Sequence, residues 1–328
     1  MIKVSVVIAA YNVEQYIVEC IKSVINQTLK EIEILVIDDG STDNTNDLAN
    51  KLASYNNRIR VIRQENLGLS GARNTGAKLA TGEFIYFLDG DDWIDHSMLE
   101  EMTKIAENVH ADVVICDYKI RYTTKKITST GGDLPNEFTG NKESILRLFL
   151  ERKIIIAAWN KLFRRSFYER YNFQFPLGYL YEDIPLTQLI CEASKIAKIN
   201  TPFYNYRKRT DSIMGTLSDR MLGKLDLVME IEEYLCRWKL YDRLRLQFQA
   251  FYIDLIIMQL INNCIMNGRQ DPIKRDQLIC QILGWTSSKK YMKTIWFNQY
   301  IPLKYKVAST VIKMNYKLYI WLVNSFMK

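Results

Sequence analysis

The sequence predicts an α/β domain followed by a helical appendage, on three observations. In the first 90 residues short β-branched runs alternate with helical patterns, which implies a parallel sheet with helices on its faces. From about residue 96 to 216 the pattern is mixed, and after Ser218 it is almost wholly helical. The length of 328 residues also suits roughly two domains of about 150 residues each.

Each element has a local reason. Residues 4–9 are a β-branched run suited to a buried strand. Over 13–26, Ile17, Cys20, Ile21, Val24 and Ile25 fall on one helical face. Further strands are expected at 32–37, 59–62 and 84–88, with helices at 43–55 and 70–79. Residues 112–120 read as a strand entering a hairpin, and 195–200 and 203–207 as two short strands joined by Thr201-Pro202. Breaks in the helical region are expected near 238–241, 268–272, 284–288 and Pro302.

Composition excludes several classes. Apolar residues at 48% and charged residues at 25% are ordinary globular values, which rules out a disordered or fibrous chain. The six cysteines contain no CxxC pair, so a zinc knuckle or thioredoxin motif is absent. Two histidines, His96 and His110, exclude a His-rich metal site. Dispersed cysteines, no secretory-signal pattern and no uncharged apolar run near the roughly 18–20 residues of a membrane span lead us to expect a cytoplasmic protein. The net charge of +7 is uneven: residues 285–328 hold eight lysines and no acid, so the rest of the chain is nearly neutral. That argues against a nucleic-acid-binding body and for a basic C-terminal segment with its own partner.

In parallel sheets ligands bind at the carboxyl ends of strands, so three loops carry the chemistry. The turn Asp89-Gly90-Asp91-Asp92 follows a buried strand and places three carboxylates within four residues. A divalent cation would neutralise them, and oxygen ligands suit Mg²⁺ or Mn²⁺. The plainer alternative is a surface turn whose acids cap the next helix. The Asp38-Asp39 pair is not explained by capping, and one carboxylate there can accept a hydrogen bond from a base N–H. Beside it, Ala9-Ala10-Tyr11-Asn12 offers small residues that admit a flat ring and an aromatic that stacks on it. The loop is not G-x-G-x-x-G, which disfavours a dinucleotide site.

Taken in order and spacing, Ala10-Tyr11-Asn12, Val36-Ile37-Asp38-Asp39-Gly40-Ser41-Thr42-Asp43, Asn66-Leu67-Gly68-Leu69-Ser70-Gly71-Ala72-Arg73-Asn74 and Leu88-Asp89-Gly90-Asp91-Asp92 resemble the family 2 glycosyltransferases. The resemblance covers about residues 1–215. It implies the GT-A fold, a Rossmann-like nucleotide-sugar-binding domain, here followed by a mostly α-helical C-terminal domain. It divides the chain into a nucleotide-sugar half (1–95), an acceptor half (96–215) and the helical domain (216–328). It further implies a UDP-sugar donor, a Mn²⁺ or Mg²⁺ ion and inversion at the anomeric centre.

Carried over by position, the resemblance puts Ala9 and Tyr11 at the uracil, Asp39 on the uracil edge, and Asn66, Ser70 and Arg73 near the nucleotide or donor sugar. Asp89 and Asp91 become the acids of a DxD motif that touches ribose and metal. In Tyr181-Glu182-Asp183-Ile184-Pro185, Asp183 matches the catalytic base and Glu182 supports it. Asp183 is also placed to cap the next helix. Trp159 and Lys161, in Ala158-Trp159-Asn160-Lys161-Leu162-Phe163, match the acceptor subdomain, with core packing as the alternative for the tryptophan. Arg209 is placed to reach the diphosphate, or else belongs to a solvated charge run.

With the Lys-, Ile- and Asn-rich composition, the resemblance leads us to expect a bacterial enzyme. It would move a hexose from a UDP-sugar to a growing surface polysaccharide or glycoprotein glycan. A non-catalytic assembly protein on the same fold is disfavoured by the intact acids at 89, 91 and 183. Beyond the family core, Val307, Val311, Met314, Leu318 and Trp321 recur at helical spacing among Lys306, Lys313 and Lys317. This basic helix is expected to meet the inner face of a membrane or another subunit.

Overall fold

The computed structural model describes residues 1–122, 127–130, 137–138, 141–155, 157–178, 183, 185–208, 217, 219–287 and 295–326. Glu182 and Arg209, both expected at the site, lie outside these residues. The chain divides into two compact units, 1–149 with 153–209, and 150–152 with 210–328.

One sheet runs through the first unit. It contains β1 (Val4–Ala10), β2 (Ile32–Asp38), β3 (Ile59–Arg63), β4 (Phe84–Asp89), β5 (Trp93–Ile94), β6 (Val113–Tyr122), β7 (Ile127–Thr130), β8 (Glu137–Phe138), β9 (Lys161–Arg164) and β10 (Ile196–Lys208). The strand order is β3-β2-β1-β4-β9-β6-β10-β5, with β7 on β6 and β8 on β10. Strands β1 to β4 are mutually parallel where they pair. Every residue of β1 and β2 is buried, as expected for parallel strands covered on both faces. Antiparallel β9 joins β4 to β6, which makes the two expected halves one sheet. The expected pair of strands at 195–207 is one strand, β10, with register shifts between Ile199 and Tyr204. Those shifts accommodate Pro202, which has no N–H to give the ladder.

Helices α1 (Ile17–Ile25), α2 (Thr45–Ala53), α3 (Gly68–Leu79) and α4 (Met98–Asn108) cover the sheet, followed by α5 (Lys142–Leu150), α6 (Arg165–Arg170) and α7 (Leu186–Cys191). Alternation along β1 assigns the faces. Val4, Val6 and Ile8 share a core with Ile17 and Ile21 of α1 and Leu99 of α4. Val7 points the other way, to α3. A Cβ added at Gly76 would lie 2.1 Å from Val7 Cγ1, so only glycine lets α3 approach this closely. This contact fixes the height of Arg73 one turn earlier.

The second unit contains α8 (Gly223–Arg237), α9 (Tyr241–Tyr252), α10 (Ile261–Asn267), α11 (Pro272–Ser287) and α12 (Leu303–Phe326). A π-helical stretch, Ile253–Leu260, joins α9 to α10. The resulting helix Tyr241–Asn267 is long and apolar enough to cross a membrane, although Asp254 breaks its apolar run, so no uncharged run of that length occurs, as expected. Its most apolar window is 67% buried within the protein, however, which is the signature of a core helix. Helix α12 is interrupted at Asn315 (φ −157°, ψ 95°), whose Oδ1 accepts a hydrogen bond from the Leu318 N–H at 3.1 Å and so caps the second half.

Candidate active site

The three loops that follow β1, β2 and β4 meet at the carboxyl end of the sheet. The first two are knitted together by backbone donors: Asp39 N–H to Ala10 O (2.9 Å), Asn12 N–H to Ser41 Oγ (3.1 Å) and Val13 N–H to Thr45 Oγ1 (2.8 Å). The third packs against the first at Gly90, whose N–H donates to Ala9 O at 2.9 Å. A Cβ there would sit 2.9 Å from that oxygen, so the Asp89–Asp91 turn depends on glycine for its approach to β1. Ala9 and Ala10 are buried, and Tyr11 projects from the loop with 46% of its surface exposed.

The acids of the second loop divide the work. Asp38 is fully buried and accepts from Ser41 N–H (3.0 Å) and Asn46 Nδ2 (2.9 Å), which shapes the turn around Gly40 (φ +77°). Asp39 accepts from Gln64 Nε2 (2.7 Å) and Leu67 N–H (3.0 Å) through Oδ1. Asn66 is exposed beside it, while Ser70 is buried in the first turn of α3.

The third loop separates three acids that look alike in the sequence. Asp92 is buried, accepting from the Tyr204 hydroxyl at Oδ2 and from the Arg207 N–H at Oδ1 (2.7 Å). Burial, with the charges of Asp91 and Asp89, pushes its carboxyl well above the usual range. Asp92 is therefore a structural acid. Arg207 also donates through Nε to Asp91 O (2.8 Å), and its guanidinium lies over the rings of Trp93 (4.5 Å) and Tyr16 (4.8 Å). Sequence reasoning assigned no role to Tyr204 or Arg207. The available signal was their position on the strand that would flank the acidic turn.

Asp89 is 20% exposed and Asp91 half-buried. Two carboxylates that leave positions for water and phosphate oxygens match the way Mg²⁺ is held with a nucleoside diphosphate, so this donor set fits such an ion. Among the described residues no group of three or more His, Cys, Asp or Glu side chains forms a closed cage.

Arg73 links this loop to the expected base. Its guanidinium, 1% exposed, donates from Nη2 to Asp89 Oδ1 (2.8 Å) and from Nη1 to Asp183 Oδ1 (2.7 Å). It also lies 5.3 Å from the Phe175 ring centroid, within the aromatic cluster of Phe87, Phe163, Tyr168 and Phe173. Burial raises the Asp183 carboxyl above its ordinary value, Arg73 opposes that rise, and Asp89 adds to it. A carboxylate raised in this way is a better proton acceptor near neutral pH.

The two acceptor-side residues take different positions. Trp159 is partly buried, stacked on Tyr204 at 4.3 Å and 22°, with Tyr118 edge-on at 4.9 Å. Lys161 is fully buried, and its ammonium donates to Ile155 O (2.7 Å), Ala157 O (2.6 Å) and Asn160 Oδ1 (2.8 Å). Three N–H groups meet three internal acceptors, which makes Lys161 a brace for the segment entering β9 and not the acceptor contact expected of it. Burial pushes its ammonium down to about 7, although Asp183 acts to raise it.

The profile described as Glycosyl transferase family 2 matches residues 5–171, just over half of the chain. EpsH of Bacillus subtilis, a protein with a glycosyltransferase name, is 38% identical over 218 residues. The match takes in 64% of this chain and 62% of EpsH, so more than a third of that relative's length is unmatched. The cholesterol galactosyltransferase of Borreliella burgdorferi is 28% identical over 97% of this chain and 96% of its own length. Among solved structures, S. aureus TarS 1-349 in complex with UDP-GlcNAc shares the fold, with a TM-score of 0.55 at 20% identity over 81% of this chain and 84% of that one. On its profile match and the loops that carry it, the chain belongs to glycosyl transferase family 2.

Proposed function

We propose that this chain is an inverting, metal-dependent glycosyltransferase that moves a hexose from a UDP-sugar to a hydroxyl of a growing bacterial surface glycan. The observation that carries the reading is the Arg73 bridge, which puts the donor-side acid Asp89 and the proton acceptor Asp183 on one guanidinium. The TarS complex with UDP-GlcNAc supports a UDP-sugar donor.

In this reading Tyr11 and Asp39 hold the uracil, by stacking and by a hydrogen bond to its edge. Asp89 and Asp91 would hold a Mg²⁺ or Mn²⁺ ion, which would supply positive charge to neutralise the leaving diphosphate. Asp183 takes the proton from the acceptor hydroxyl as that oxygen attacks the anomeric carbon, on the face opposite the breaking bond to UDP. Arg73 keeps the Asp183 carboxylate aimed and charged. Trp159 offers a ring edge to the acceptor sugar, and Lys161 supports the wall behind it. A second acceptor class, a lipid hydroxyl, is favoured by the match to the cholesterol galactosyltransferase over nearly the whole of both chains.

The test is Asp183→Asn beside Asp91→Ala. Asp183→Asn is expected to keep UDP-sugar affinity and lose about 10²–10⁴-fold in transfer rate. Asp91→Ala is expected to abolish the coupling between Mn²⁺ and UDP binding in calorimetry. Near-wild-type turnover of Asp183→Asn removes the base from the scheme, and intact coupling in Asp91→Ala removes the metal site.

A further inference from the structure

We propose that the outer face of α12 docks on an anionic lipid bilayer. The helix carries two apolar faces. Ile312, Tyr319 and Ile320 point inward and are buried, and the Tyr319 hydroxyl donates to Asn262 Oδ1 at 3.0 Å. The other face is exposed: Leu303 is 69% exposed, Val307 47%, Met314 82%, Leu318 47% and Trp321 63%. At about 100° per residue Leu303, Val307 and Met314 share one face of the segment before Asn315, and Leu318 and Trp321 share one face of the segment after it. Apolar stripes left in water on both halves mark an interaction surface.

The stripes have the chemistry of a membrane interface. Lys304 and Lys313 flank the apolar positions of the first half on opposite sides, Lys317 adjoins those of the second half, and all three are exposed. The preceding turn presents Phe297, 90% exposed, and is tied to α12 by the Lys306 ammonium, which donates to Trp296 O at 3.0 Å. Aromatic and aliphatic groups flanked by lysines suit the boundary between acyl chains and headgroups.

Charge selects the occupant. Residues 285–328 contain eight lysines and no acid. A second copy that docked through the same face would bring like charges together, because such a contact pairs the patch with itself. An anionic bilayer is complementary to it. The inference is independent of the catalytic scheme.

The test uses the full-length chain and co-sedimentation with phosphatidylcholine vesicles, with and without about one third phosphatidylglycerol. Binding is expected to the anionic vesicles and to weaken as salt rises from ~0.1 to ~0.5 M. A Lys304→Gln, Lys313→Gln, Lys317→Gln variant is expected to lose about a hundredfold in partitioning into anionic vesicles. A Met314→Gln, Leu318→Gln, Trp321→Gln variant is expected to lose binding and the blue shift in tryptophan fluorescence on vesicle addition. All six positions are exposed, and unchanged melting curves verify that both variants fold. The proposal is overturned by equal binding to neutral and anionic vesicles, by no binding at low salt, or by variants that bind like the wild type. It is equally overturned by a concentration-dependent dimer in sedimentation velocity that the stripe variant abolishes.

Discussion

The loops after β2 and β4 both present paired acids at the carboxyl end of the sheet, yet their carboxylates are satisfied from different distances in the chain. After β2 every partner lies within 28 residues: Ser41 and Asn46 for Asp38, Gln64 and Leu67 for Asp39. After β4 the partners of Asp92, Tyr204 and Arg207, lie 112 and 115 residues away; Asp89 takes Arg73 from 16 residues away, and that same guanidinium holds Asp183 110 residues on. The carboxylates after β2 are served by β3, α2 and the start of α3, while the loop also leans on Ala10 and Asn12 after β1. Asp92 has its donors only when β10 is in the sheet. The acidic pair after β2 is thus nearly self-contained, while the acids after β4 and Asp183 draw on elements spread over the first unit.

Substitutions test this contrast. Arg73→Met removes the cation shared by two largely buried carboxylates. Loss of one partner of a buried charge pair costs about 3–5 kcal/mol, so we expect a fall of that order in urea unfolding without divalent ions. Stability within about 1 kcal/mol of wild type would mean that the bridge contributes little. Next in size is Tyr204→Phe, which keeps the stacking on Trp159 and removes only the hydroxyl donor to Asp92. Leaving a buried acceptor short of its donor costs about 1–3 kcal/mol. Gln64→Ala probes the local loop, where the Leu67 N–H still serves Asp39, and we expect about 0.5–1.5 kcal/mol. Thermal melts of the two variants rank the loops. A larger loss for Gln64→Ala than for Tyr204→Phe would invert the contrast.

The same distinction explains what was legible in the sequence. Strands β1 to β4 and helices α1 to α3 follow from periodicity because their burial patterns repeat over a few residues. The residues expected at the uracil and on the DxD turn lie in contiguous motifs and converge at the strand ends as those motifs imply. The reach of Arg73 to Asp183 could not be read this way, since nothing local links positions 73 and 183. Neither could the difference between Asp91 and Asp92, which only β10 creates. Lys161 was expected at the acceptor because its segment matches the family's acceptor subdomain, and a lysine is ordinarily a surface residue, whereas here it is fully buried. Its apolar neighbours Leu162 and Phe163 were the hint of burial. The interruption at Asn315 and the π-helical stretch arise from packing among helices and leave no periodic trace.

The hydrogen bonds from β10 to Asp92 also bear on how enzymes of this kind diversify. A crossover that joined the first 95 residues of this chain to the acceptor half of a relative would preserve every donor-side motif. It would still deliver a misfitted acidic turn unless the incoming strand brought a tyrosine at position 204 and an unblocked backbone N–H at 207. The acidic turn and β10 are therefore one structural unit, and replacing either alone leaves the Asp92 carboxylate without its donors.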